Sequence, residues 1–271
     1  MLISMLASAV AHACSCAVVV TPTVLPGHGA TVPANLPALW VGAGDNTEGW
    51  ILMDARGRRL PAELRAPRGP TPSAHLEWHE LVPGDPLQPG RTYRIRPVRP
   101  DGEAWETTFH TGPPAPLPRT LGTVVVGPLV EGPLQIKTLR SCSGTLDALQ
   151  RIVVVHHTSE AAPWRELFVY NTLVDEQPWS PRTSLCTQPV TGGSWTGRGQ
   201  DRVFATCGWS TALRPGAHTV RFEAHLPGQG PIYTDTATVP LHCSEERWPV
   251  VTEDRVDLGP VLGNPAPPPG K

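Results

Sequence analysis

A short phrase occurs twice in this chain. Leu87-Gln88-Pro89-Gly90 leads into the strand-like run Thr92-Tyr93-Arg94-Ile95, and Leu213-Arg214-Pro215-Gly216 leads into His218-Thr219-Val220-Arg221. A Pro-Gly pair ahead of an alternating run is a turn feeding a strand. The two copies stand about one domain length apart. The duplication therefore predicts two similar β-domains built on one plan.

Size and composition agree with that plan. A chain of 271 residues has room for two domains, each with its own core. Its 33 prolines and 26 glycines punctuate short apolar runs, and no long stretch follows the 3.6-residue helical period. The class expected is all-β. A net charge of −2 provides no long-range field to steer a polyanion, so no nucleic-acid partner is expected. No run approaches the roughly 20 apolar residues of a membrane span.

The amino terminus reads as a signal peptide over residues 1–13. Met1 to Val10 is apolar, and Ala11-His12-Ala13 offers small residues at the cleavage positions, directly before Cys14. Cleavage there leaves Cys14-Ser15-Cys16 at the new terminus. Two alternatives stand for Cys14: lipidation, although Ala11 and His12 depart from the usual lipobox residues, or a disulfide. Export in turn makes the other cysteines disulfide candidates. Cys142, Cys186, Cys207 and Cys243 allow three pairings. The favoured one joins Cys186 to Cys207 and Cys142 to Cys243, with loop-closure stabilisation of roughly 3 and 4.7 kcal/mol as upper values.

Five segments are expected. After the signal peptide, a β-domain covers residues 18–112 and a Pro-rich linker covers 113–118. A second β-domain with the disulfides covers 119–243, and a disordered tail covers 244–271. In the first domain Tyr93 and Ile95 are set to point inward, with Arg94 and Arg96 outward. Leu76 and Trp78 share one face of the preceding strand. In the second domain strands are expected near 123–126, 151–156, 167–172, 202–206, 218–225 and 233–241. Residues 139–150 are read as a turn region and 180–201 as a long loop.

Here the residues meet a family. Gly29-Ala30 ahead of Val32-Pro33-Ala34-Asn35 resembles the opening of bacterial Ig-like domains. Leu87-Gln88-Pro89 to Tyr93, Asp101-Gly102 and Phe109-His110-Thr111-Gly112 resemble their close. The resemblance covers about the first 110 residues. It implies two Ig-like, or fibronectin-III-like, antiparallel β-sandwiches joined by the Pro-rich linker. It also implies a tyrosine corner at Tyr93, whose counterpart in the second domain is His218. The fold by itself implies no chemistry.

His75 and His79 are separated by about 13 Å on a strand, too far for one zinc ion. His156 and His157 are neighbours, so a strand sends them to opposite faces. The chain lacks a Gly-x-Ser-x-Gly elbow, a phosphate-binding glycine loop and a Cys-x-x-Cys pair. No catalytic residue, metal ligand or cofactor is assigned. Arg91, Arg94, Arg96 and Arg99 form a basic stretch that suits either a solvated strand face or an anionic glycan. Trp40, Trp50 and Trp78 are assigned to the core. Trp179, Trp195 and Trp209 flank loops and are the candidate binding residues.

The sequence thus describes an exported, non-enzymatic, all-β module of the bacterial periplasm, cell surface or exterior. Its expected partners are proteins or polysaccharides. A carbohydrate-binding adhesin and a metal-dependent hydrolase using His156 or His157 are the two rival readings.

Overall fold

A computed structural model describes residues 22–44, 47–68, 77–100, 105–138, 143–179, 182–183, 186–191, 199–206, 213 and 215–242. Eight strands form the first unit: β1 (Thr23–Leu25), β2 (Thr31–Pro33), β3 (Leu39–Ala43), β4 (Gly49–Asp54), β5 (Ala62–Arg65), β6 (Glu77–Pro83), β7 (Thr92–Val98) and β8 (Thr107–Gly112). They make two sheets, in the orders β1-β3-β6-β5 and β2-β8-β7-β4. Lettered in chain order, these are the A-B-E-D and C-F-G sheets of an Ig sandwich, with β2 as an added A′ strand parallel to β8.

The second unit comprises β9 (Gly122–Val126), β10 (Val130–Thr138), β11 (Ser143–His157), β12 (Val169–Val174), β13 (Gln177–Pro178), β14 (Arg182–Thr183), β15 (Cys186–Thr191), β16 (Gln200–Ala205), β17 (Gly216–His225), β18 (Ile232–Tyr233) and β19 (Ala237–Leu241). Strands β9, β11 and β16 repeat the A-B-E arrangement, and β12, β17 and β19 repeat C-F-G. The protein is therefore all-β, two Ig-like sandwiches joined by a Pro-rich segment. The duplicated phrase marks the same place in each, the corner that feeds the F strand, β7 or β17.

Alternation fills the cores as the pattern requires. On β7, Tyr93 and Ile95 are buried while Arg96 is exposed. On β17, Val220, Phe222 and Ala224 are buried. Tyr93 stacks on Phe109 with centroids 5.6 Å apart. Its hydroxyl accepts the Gln88 amide at 2.8 Å, which is the tyrosine corner expected. Gly90, at φ +68° in the same corner, supplies a backbone conformation that a side chain disfavours. Tyr93→Phe is expected to cost about 1–2 kcal/mol by orphaning the Gln88 amide. Urea unfolding would show it as a lower midpoint at constant slope, and an unchanged midpoint would deny the corner any stabilising role.

The second sandwich departs from the sequence expectation in several places. Strand β10 lies outside the expected strands, and the single strand expected over 233–241 is divided between the end of β18 and β19. Residues read as a turn before Arg151 belong to β11, a strand of 15 residues. Its first half pairs with β10 from Lys137↔Ser143 to Val130↔Gln150. The segment read as a loop from 180 to 201 contains β14 and β15, and β15 pairs with the end of β10. For β11 the cause is local: Gly144 and Asp147 have weak strand propensity, and pairing with β10 overrides it.

The two sandwiches share a buried joint. Trp40 and Trp78 lie on the outer face of the A-B-E-D sheet, yet only 1% and 4% of their surfaces are exposed. They pack on Val169 at the start of β12. Glu80, on the same face and also buried, accepts the Gly228 amide at 2.8 Å. Trp40 and Trp78 are thus core residues of the joint, whereas Trp50 belongs to the core of the first sandwich.

The Pro-rich segment is held from both sides. The Asn35 side chain donates to the Ala115 carbonyl at 2.8 Å and accepts the Ala115 amide at 3.0 Å. From the second sandwich, the Trp164 indole donates to the Pro116 carbonyl at 2.8 Å.

Candidate functional site

A pocket of about 430 Å³ opens at the loop end of the first sandwich. One wall is the turn after β4. Its shape follows from Asp54, whose Oδ1 accepts the amides of Arg56 at 3.0 Å and Arg58 at 2.9 Å. Its Oδ2 accepts Arg58 Nε at 3.1 Å. The Arg58 amide, with the other bonds from Arg56 and Arg58, holds the Asp54 carboxyl below its ordinary range against the opposing effect of burial. Arg94 braces this turn from β7 by donating to the Ala55 carbonyl at 2.6 Å.

The other wall runs from Pro83 to Arg91 and includes the corner that Tyr93 fastens. Pro61, Pro83 and Pro86 stiffen both walls, and the Gly84 amide bonds the Pro61 carbonyl across them at 2.8 Å. The floor is Leu52, Leu60, Leu87 and Tyr93, and the rim carries Arg56, Arg58, Arg91 and Asp85. Arg91 comes from the basic stretch marked in the sequence. Arg56, Arg58 and Asp85 were missed, although Arg56-Gly57-Arg58-Arg59 is legible as a basic turn.

A second polar cluster lies on the outer C-F-G face of the second sandwich. Asn171, Glu223 and Tyr233 stand in one cross-strand row. Glu223 accepts Asn171 Nδ2 at 3.0 Å and the Tyr233 hydroxyl at 2.9 Å, and it pairs with His225 Nε2 at 2.7 Å. Burial pushes the Glu223 carboxyl up, but the bonds from His225, Asn171 and Tyr233 outweigh it and hold it below the usual range. Arg221 lies over the Tyr233 ring, 4.5 Å from its centroid. Glu223 is satisfied by Asn171, His225 and Tyr233, so the cluster reads as a fastening of three strands.

The β12–β13 turn is built from two non-glycine residues in the left-handed region, Asp175 at φ 48° and Glu176 at φ 64°. Asp175 is tied to His218 Nδ1 at 2.6 Å and to the Thr219 amide at 2.8 Å, and Glu176 is paired with Arg221. His218, the counterpart of Tyr93, therefore fastens a different loop. Glu176→Gly is expected to stabilise by about 0.5–1 kcal/mol, because relief of the left-handed strain exceeds an exposed ion pair. A drop in thermal midpoint would show the pair to be the stronger of the two.

Trp179 is partly buried, donates from Nε1 to the Arg202 carbonyl at 3.0 Å, and meets Phe204 edge-on at 5.3 Å. Trp195 and Trp209 lie outside the described residues, as do Cys14, Cys142, Cys207 and Cys243. Cys186 stands on β15, opposite Thr183. His156 is exposed, whereas His157 turns inward to the Tyr170 hydroxyl at 2.7 Å and stacks on Phe168. Burial lowers the His157 pKa. His75 lies outside the described residues. Among the described residues no three His, Cys, Asp or Glu side chains gather as metal ligands do, and no helix is long and apolar enough to cross a membrane.

No protein-family model matches the chain, and no curated protein matches it in sequence. Among solved structures it is similar to the tandem Ig repeats of Dlar, at 10% identity and a TM-score of 0.26, over 80% of this chain and 95% of that one. It is also similar to chicken CNTN1 FN1–FN3 domains, at 9% identity and a TM-score of 0.21, over 79% and 64%. A pullulanase from Anoxybacillus sp. LM18-11, complexed with maltotriose, matches at 8% identity and a TM-score of 0.23, over 73% of this chain and 24% of that one. At such scores these likenesses carry no weight, and the Ig-like assignment rests on strand order alone.

Proposed function

We propose that the chain is an exported, non-enzymatic Ig-like module that makes protein or surface contacts in the cell envelope or outside the cell. The observation that carries this reading is the preformed, arginine-rimmed pocket at a loop end of a stiff sandwich. Loop ends positioned by a rigid scaffold are where such folds place recognition. Export is supported by the apolar amino terminus and its small-residue cleavage positions.

Two measurements test the reading. Intact mass of the protein from cells that make it is expected to begin at Cys14, and a mass beginning at Met1 contradicts export. Purified full-length protein is expected to bind washed cell envelopes saturably. Absence of binding to whole envelopes, and to their protein and polysaccharide fractions, removes the contact role.

A further inference from the structure

We propose that the pocket between residues 54–61 and 83–91 binds a carboxylate carried on a hexose-sized polyhydroxy body, that is, a uronate. This rests on the reading of the chain as a contact module and names what one of its sites takes. Arg56 and Arg91 are exposed, and neither guanidinium has a hydrogen-bond or ion-pair partner among the described residues. Asp54 is committed to Arg58 and to the backbone of its own turn. The uncommitted charges at the rim are therefore two guanidiniums and the Asp85 carboxylate.

That set selects a ligand by chemistry. A guanidinium fork matches a carboxylate in charge and geometry. Asp85 is acceptor-only and suits a ligand that also brings hydroxyl donors. The net excess of one positive charge favours a net anion over a neutral sugar or a zwitterion. On the floor Leu52, Leu87 and Tyr93 are buried and only Leu60 is half-exposed, so a large hydrophobic side chain gains little there. A volume of about 430 Å³ sits at the small end of ligand sites and suits a single sugar unit. The proline-stiffened walls keep the ordering cost of binding low.

The test titrates the full chain with sodium glucuronate at low salt, following arginine Nε–H resonances and heat. Glucose, leucine and an oligogalacturonate are run in parallel. Glucuronate is expected to bind with a Kd of about 1 mM, with glucose about tenfold weaker or worse. Arg56→Gln and Arg91→Gln, both at exposed positions, are each expected to weaken binding about tenfold. Arg96→Gln, exposed on β7 outside the pocket, is expected to change it less than about twofold.

Oligomer binding with the same arginine dependence identifies the ligand as a polymer unit, and monomer binding alone identifies a free acid. Either supports the site. The proposal is overturned if glucuronate produces no response at about 20 mM. It is equally overturned if leucine binds more tightly than glucuronate, or if Arg96→Gln weakens binding as much as the pocket variants do. Saturable envelope binding without uronate binding overturns this site and leaves the contact role standing.

Discussion

Trp164→Ala is expected to lower stability by about 3–5 kcal/mol, the range for deleting a buried tryptophan. Trp164 is 0% exposed and ends the 3₁₀ turn Ala162–Trp164, which packs against β2 of the other sandwich. It is thus a core residue and a clasp on the Pro116 carbonyl at once. Its loss should do more than shift a midpoint. The parent protein, with Trp40, Trp78 and Glu80 also buried in the joint, is expected to unfold in one cooperative step. The alanine variant should show two, as the sandwiches uncouple. Trp164→Phe keeps most of the volume, loses only the indole donor, and should cost about 1–2 kcal/mol. A single transition in Trp164→Ala with a loss below about 1 kcal/mol would mean that the joint contributes little.

Asp201→Asn is expected to stabilise the protein at pH 8 and to do nothing at pH 4. Asp201 is placed by β16 on the inner face of the second sandwich. It accepts the Thr172 hydroxyl at 2.7 Å and the Arg202 amide at 2.7 Å. Burial raises its pKa from 3.8 to about 6, against the lowering effect of those two bonds. A carboxyl whose folded pKa lies above its unfolded one takes up a proton on folding between those two values. Stability therefore falls as pH rises from about 4 to about 6, and the full cost persists above that window. The upper bound is about 3 kcal/mol, and about 1–2 kcal/mol is expected once asparagine's own bonding is counted. Asparagine can still accept the Arg202 amide, and its Nδ2 can donate to Thr172 after the hydroxyl turns. Urea midpoints of both proteins at pH 4, 6 and 8 give the answer, and parallel curves at all three would refute a raised pKa.

Much of this fold was legible because period-two patterns and turn residues are local signals. Tyr93 and Ile95 could be set inward from spacing alone, and the resemblance to bacterial Ig-like domains set Tyr93 at the corner. The first half of β11 was not legible, because its residues are strand-forming only beside β10. The joint was half legible. Ala38-Leu39-Trp40-Val41 is apolar without a break, which marks a strand covered on both faces. Leu39 and Val41 fill their own sandwich while Trp40 fills the joint, and no local pattern says what lies opposite. Of the pocket's charges, the sequence marked only Arg91, just before β7. Arg56 and Arg58 come from a turn more than 30 residues earlier and Asp85 from the loop before β7, and three-dimensional convergence has no sequence period.

The doubly fastened Pro-rich segment has a directional consequence. A loose tether would let the first sandwich swing and sample many headings. With Asn35 gripping Ala115 from one sandwich and Trp164 gripping the adjacent Pro116 from the other, the pair behaves as a bracket. Whatever immobilises the second sandwich also sets the compass bearing of the arginine rim on the first.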